Sequence, residues 1–347
     1  MKTIILIGGQ GTRLRPFTLE QPKCLLPVVN RPLISYQFAL LKKYGIKEVI
    51  LAARYGQPNL AEIASIGKSF SLSVKFSLEK IALGTAGAIK KAAGLLKSRD
   101  PVLVFNGDFI ADINLERVIR LHQEKKACAT VVLTKVEKPS SYGLVVMDGD
   151  GKVKSFIEKP GPAEIVTDTI NAGVYVLSQK ALAGIPSGKN VSIERESFPY
   201  LLAQGENLIG CVHYGYWIDV GSLESFWKAS RDILDGRLGR DLVPEAKEEK
   251  LEEKVVVEGK VSAGCRALIK PGVILRGYVV IGAESYVGEN CVLEDTVLFS
   301  RVIVKECASI RKSFIGKGSM IGANTRLENA VAGPGSYLSD FSCLGGF

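Results

Sequence analysis

The chain has 347 residues, 46% hydrophobic and 23% charged, with a formal net charge of +9. That length buries a real core and suits two domains. No apolar run reaches the roughly 18 residues of a membrane span, and the N-terminus enters a strand pattern at once, without a signal-peptide profile, so no membrane association and a cytoplasmic location are expected. The basic residues are dispersed, with no Lys/Arg block or aromatic ladder, so small anionic substrates are expected and a nucleic-acid partner is not. Seven cysteines, odd in number and without a Cys-x-x-Cys pair, read as reduced thiols rather than disulfides or zinc ligands.

The first buried-strand pattern is TIILI, residues 3–7. It runs into LIGGQGTRLRPFTLEQPKCLLPV, residues 6–28, where Gly8, Gly9 and Gly11 stand with Arg13, Arg15 and Lys23 among three prolines. Glycines let a backbone approach a ligand closely, and these cations suit an anion. The dinucleotide fingerprint fails because Leu14 stands where its third glycine belongs, and the Walker pattern fails because Thr12-Arg13 follows Gly11. Two readings remain: a nest of amides and cations for a triphosphate, or a turn with solvated arginines.

PLISYQFALLKKYG follows as a helix, apolar at 33, 36, 40, 41 and 44, with Asn30 as its cap and Gly45 as its stop. Strands are expected over 46–53, 101–105 and 128–134, and a helix from Asn114 in NLERVIRLHQEKK. LGTAGAIKKA, residues 83–92, has the form of a glycine loop opening a helix. There Thr85 is a cap whose neighbouring amides suit a base or phosphate, or an ordinary helix start. Alternation of this kind implies an α/β fold with a mixed, mostly parallel, Rossmann-like sheet, whose ligands bind beyond the carboxyl ends of the strands.

VFNGD (104–108) and GYWIDVG (215–221) each set an aspartate where an apolar stretch ends. Brought together, Asp108 and Asp219 would repel unless a cation sat between them, and Mg²⁺ prefers hard oxygens plus substrate phosphates. Taken singly, Asn-Gly-Asp is also a common turn. In IEKP (157–160), Glu158 suits sugar hydroxyls and Lys159 a phosphate; an exposed ion pair ahead of a proline turn has the same pattern.

Residues 232–254 are highly charged and read as a linker between a domain over 1–231 and another over 255–347. In the latter, Ile269, Leu275, Ile281, Val287 and Leu293 recur every six residues, then Val304 and Ile310, then Ile315, Ile321 and Leu327. Gly282, Gly288, Gly316 and Gly322 follow several of them. This is the hexapeptide pattern of a left-handed parallel β-helix, with small residues expected at its corners. A histidine-dependent acyltransferase in these repeats is not expected, because His122 and His213 both lie earlier. Stacked coils instead suit assembly into a homo-oligomer.

GGQGTRLRPFT, PKCLLPVVNRPLI, GTAG, NGD, YGLV, FIEKP, INAGVYVL, SIERESFP and WIDVG occur in the order seen in sugar-phosphate nucleotidyltransferases, and over residues 1 to about 230 the chain resembles that family. The detail of TKVEKPSSYGLVV and SIERESFPYLLAQG is most similar to its mannose-1-phosphate guanylyltransferases. The resemblance implies a nucleotide held by Gly8, Gly9, Gly11, Thr12 and Arg13, with Arg13 and Lys23 on its phosphates and Gly84 and Thr85 near the base. It implies a sugar-phosphate site at Gly143, Glu158, Lys159 and Asn171, and Mg²⁺ on Asp108 and Asp219. The implied reaction makes a nucleotide-sugar and pyrophosphate, with GTP and mannose-1-phosphate favoured over a UTP- or dTTP-dependent enzyme acting on glucose-1-phosphate. A non-catalytic regulatory or assembly subunit of the same build would be expected to lose the cations and carboxylates that stand here. Cys24 departs from the family, which usually has proline after the signature lysine.

Overall fold

The computed structural model describes residues 1–96, 98–158, 160–249, 251 and 254–345. The chain begins β1 (Lys2–Leu6), β2 (Pro27–Val28), β3 (Arg31–Pro32), α1 (Leu33–Lys43), β4 (Glu48–Arg54), α2 (Leu60–Ser69), β5 (Ser73–Glu79) and α3 (Gly84–Ala93). Next come β6 (Val102–Asn106), β7 (Phe109–Ala111), α4 (Leu115–Glu124), β8 (Ala129–Lys135), β9 (Leu144–Met147), β10 (Val153–Ile157) and β11 (Thr169–Leu177). After α5 (Gln179–Ala183), α6 (Phe198–Ala203), β12 (Leu208–His213), β13 (Trp217–Asp219) and α7 (Leu223–Leu234), short strands continue to the C-terminus. Two compact units result: Met1–Gly9 with Ile34–Asp219, and Gln10–Leu33 with Val220–Phe347. No described helix is long and apolar enough to cross a membrane, and none of the seven cysteines is in a disulfide.

The first unit is built on a mixed sheet in the order β10-β9-β11-β6-β1-β4-β5, with β8 and β12 beyond β11. The strands β6, β1, β4 and β5 run parallel, while β11 lies antiparallel against β6. The apolar runs of β1, β4 and β6 are buried on both faces, as in Val102–Phe105. Helix α3 and the aromatic residues Tyr175 and Phe198 complete the core on Ile4, Val104 and Val131. Helix α4 begins as expected, the Asn114 side chain accepting a hydrogen bond from the Arg117 amide at 2.9 Å.

Two expected caps have other partners. Thr85 leaves the start of α3 uncapped; its hydroxyl accepts from the Ile193 amide at 2.8 Å and donates to Glu194 Oε2 at 3.2 Å. Asn30 does not cap α1. With Val29 it forms the two-residue turn joining β2 to β3, φ +46 and +63, where both positions of the turn require left-handed backbone. Its amide nitrogen donates to Ser262 Oγ at 3.0 Å and to the Ile281 carbonyl at 3.1 Å.

In the second unit the short strands stack into a parallel coil with three aliphatic ladders. One runs through Ile269, Val287, Val304, Ile321 and Leu338, a second through Leu275, Leu293, Ile310, Leu327 and Leu344. The third runs through Ile281, Leu298, Ile315 and Ala332. The pairing advances by 17 or 18 residues per coil, so from the second coil onward one repeat of each three is shortened to five residues. Leu298 therefore occupies the place that strict six-residue counting from Leu293 misses. The corners are not turned by the glycines that follow the aliphatic residues. Left-handed corners fall at Glu284 (φ +60), Arg301 (φ +59) and Asn324 (φ +55). Gly282 and Gly322 are needed for a different reason: a Cβ at either would lie 2.3 Å from backbone atoms of the next coil, at Phe299 and Asp340.

Candidate active site

In the first unit Leu6 pairs with Asn106 across the parallel strands β1 and β6. Gly8 and Asp108 thus each stand two residues past the same rung, beyond the carboxyl ends of β1 and β6. The sheet continues to β4 on one side of β1 and to β6 on the other, and this divergence opens the crevice where α/β sheets bind ligands. Gly107 makes the turn between β6 and β7 possible: its amide donates to the Leu6 carbonyl at 2.9 Å, and a Cβ there would lie 2.4 Å from that oxygen. Gln37, buried in α1, braces the turn by donating from Nε2 to the carbonyls of Asn106 at 2.8 Å and Phe109 at 3.3 Å.

Strand β7 pairs antiparallel with β13, and Asp219 lies opposite Phe109. With strands about 4.8 Å apart, the backbone of Asp219 thus lies across from the residue that follows Asp108, although the two aspartates are far apart in sequence. Among the described residues no cluster of three or more His, Cys, Asp or Glu side chains is placed to hold a metal. Two carboxylates alone fit a hard cation that keeps waters and takes its remaining ligands from substrate phosphates.

Beside this pair runs a polar network. Asn171 Nδ2 donates to the Tyr175 hydroxyl at 2.7 Å, which donates to Glu194 Oε1 at 2.9 Å; Asn171 Oδ1 accepts from the Gly173 amide. Burial, reinforced by the Glu194 carboxylate, holds Tyr175 far above the ordinary phenol range, so it stays a neutral donor. Gly143 accepts from the Asn171 amide at 3.1 Å, and a Cβ on Gly143 would lie 2.7 Å from Glu158 Oε1. Glu158 pairs with Arg195 at 3.4 Å. Trp217 Nε1, two residues before Asp219, donates to the Ala172 carbonyl at 3.0 Å. Gly143, Glu158 and Asn171 thus gather into one network, with Thr85 joined to its far end through Ile193 and Glu194, while Gly84 packs against Asn190 and Val191. Lys159 lies outside the described residues.

Sequence reasoning missed Gln37, Tyr175, Glu194, Arg195 and Trp217. Glu194 and Arg195 lie on a single π-helical turn, Ile193–Ser197, a geometry often found at functional sites. Glu79 ends β5 and accepts from the Leu83 amide at 3.2 Å, and burial pushes its carboxyl above the ordinary range.

The rest of the glycine loop belongs to the second unit. Gly11 has left-handed backbone (φ +61), and a Cβ there would meet Thr18 Cγ2 at 2.9 Å and Lys23 Cβ at 3.3 Å. Thr18 Oγ1 donates to the Gly11 carbonyl at 2.8 Å, which closes the loop. Thr12 and Arg13 face solvent while Leu14 and Phe17 are buried. Lys23 opens a short 3₁₀ turn after Pro22, and Cys24 packs inward from it.

Residues 2–236 match the Nucleotidyl transferase family, and residues 255–345 match the GMPPB C-terminal domain. The chain is 34% identical over 304 residues to a mannose-1-phosphate guanylyltransferase of Mycobacterium tuberculosis, covering 87% of this chain and 80% of that protein. It is 36% identical over 335 residues to a mannose-1-phosphate guanyltransferase of Candida albicans, covering 95% and 90%. A crystal structure of HddC from Yersinia pseudotuberculosis complexed with GMP-PN superposes with a TM-score of 0.58 at 27% identity, covering 67% of this chain and 99% of that one. On this similarity, which reaches from the central sheet through the coil, the chain belongs to the nucleotidyl transferase family.

Proposed function

We propose that the chain makes GDP-mannose and pyrophosphate from GTP and mannose-1-phosphate. The observation that carries this reading is the pairing of β7 with β13, which sets Asp219 opposite Phe109, the residue after Asp108, past the end of β6. The choice of GTP and mannose rests on relatives that bear the guanylyltransferase name over most of both chains.

The sugar-phosphate oxygen attacks the α-phosphorus of the nucleotide, and the bond to the departing pyrophosphate breaks. That oxygen is already anionic near neutral pH, so the residues are asked for position and charge rather than for a base. Arg13 and Lys23 are assigned to the nucleotide phosphates, and Gly8, Gly9, Gly11 and Thr12 to the backbone cradle around them. Gly84 and Thr85 are assigned to the base side; Gly143, Glu158, Lys159 and Asn171 to the sugar phosphate. Asp108 and Asp219 would hold Mg²⁺, which when bound would offset the negative charge of the phosphates. Exposed Cys307 and Cys343 suit a reducing cytoplasm. Apolar Tyr337 and Phe341, exposed on the last coil, suit contact with a second copy.

Pyrophosphate release from four nucleoside triphosphates, each paired with the 1-phosphates of mannose, glucose and galactose, tests the reading. GTP with mannose-1-phosphate is expected to give the highest kcat/KM. Preference for another pair would overturn the substrate assignment, and silence from every pair would leave a non-catalytic subunit.

A further inference from the structure

The glycine loop is built against the coil domain. Phe17, only 3% exposed, has its ring 4.7 Å from that of Phe299 and 6.2 Å from that of Phe314. Phe226 of α7 closes the same cluster, 5.9 Å from each of these two rings. Next to it, Pro16 sits over Gly333: a Cβ added at Gly333 would lie 3.2 Å from Pro16 Cγ and 3.3 Å from Pro16 Cβ, with Ser336 Oγ farther off at 3.9 Å.

From Phe17 the chain of contacts is short. Thr18 follows directly; its hydroxyl donates to the Gly11 carbonyl, and Gly11 packs on both Thr18 and Lys23 Cβ. Arg13 lies in the 3₁₀ turn Thr12–Leu14 that Gly11 opens. At the other end of the loop, Asn30 donates to Ser262 Oγ and the Ile281 carbonyl. Arg31 Nε donates to the Pro244 carbonyl, and its guanidinium pairs with Glu248 at 3.1 Å. The loop is thus pinned between Arg13 and Lys23, at Phe17, and again beyond Lys23, at Asn30 and Arg31, by residues more than two hundred positions away.

We propose that the coil domain is a working part of the nucleotide site: Phe299, Phe314 and Gly333 are positioning residues that set the conformation of the loop bearing Arg13 and Lys23. This rests on the assignment of that loop to the nucleotide phosphates. Buried aromatic packing has one well-fitted arrangement, and a cationic loop displaced by about 1 Å loses on the order of a hundredfold in rate. A coil serving assembly alone would need no contact with the loop.

The test uses the full chain. Gly333→Val adds bulk against Pro16 without opening a cavity, and Phe299→Ala removes the ring under Phe17. For each, GTP and mannose-1-phosphate affinities are measured separately by calorimetry, with kcat/KM and thermal midpoint. Gly333→Val is expected to melt like the parent, to bind GTP about tenfold more weakly, and to bind mannose-1-phosphate within about twofold. Phe299→Leu is expected to recover part of what Phe299→Ala loses. A folded Gly333→Val with parental GTP affinity and rate would overturn the proposal. If the parent chain itself neither binds GTP nor releases pyrophosphate, the substrate assignment has failed. Amide exchange over residues 11–26 then decides the anchoring: faster in Gly333→Val supports it, and unchanged exchange overturns it.

Discussion

At the scale of single residues, the position of Asp108 depends on two neighbours that carry no reactive group. Gly107 is the only residue that fits under the Leu6 carbonyl, and Gln37 ties the carbonyls on either side of the turn. Gln37→Leu leaves two carbonyls without their donor, at a cost of about 1–3 kcal/mol. We expect kcat to fall about tenfold with KM for GTP little changed, read by steady-state kinetics; an undiminished kcat would remove Gln37 from the site. Asp108 was legible in the sequence because an acidic residue after an apolar run and Asn-Gly marks a strand end. Gln37 was not, because a polar residue inside a helical pattern looks like a solvated face. Thr85 and Asn30 were misread for a related reason. The local rule names hydroxyls and amides as caps, but these two have partners far along the chain, at Ile193 and Ser262, that no local window contains.

At the scale of elements, the strands over residues 3–7, 46–53, 101–105 and 128–134 were readable because strands buried on both faces must be apolar throughout. The antiparallel insertion β9–β11 was harder. Strand β11 carries a register shift between Asn171 and Tyr175 with Gly173 at φ +72, so its alternation is broken where the site residues stand. The coil was legible from its six-residue rhythm, and the shortened repeats at Leu298 and Ile315 were hidden because a missing residue resembles a break in the pattern. Helix α4 offers a measurable property of its own. His122 lies buried with Nδ1 2.9 Å from Thr130 Oγ1, and burial lowers its pKa below the ordinary value of about 6.5. Between those two values the unfolded chain holds a proton that the folded chain does not. Its contribution is therefore complete above pH about 6.5 and is lost as pH falls from there toward the folded pKa. The thermal midpoint should drop between pH 7.5 and 5.5, and drop less in His122→Gln; equal slopes would contradict this.

At the scale of the whole molecule, two kinds of domain were legible because their periodicities differ. The grouping of Gln10–Leu33 with the C-terminal coil was not. Phe17 is one aromatic residue in a loop, and only the folded chain shows it against Phe299 and Phe314. The placing of Asp219 opposite Phe109, the residue after Asp108, is likewise a product of folding, through the short pairing of β7 with β13. The account stands on those two carboxylates acting as a unit. Asp108→Asn, Asp219→Asn and the double variant, assayed for pyrophosphate release across a Mg²⁺ titration, measure this directly. Each single change should cost about a hundredfold in kcat, with the double variant within about threefold of the worse single one. Losses that multiply to about ten-thousandfold would show two carboxylates acting independently and would contradict the account.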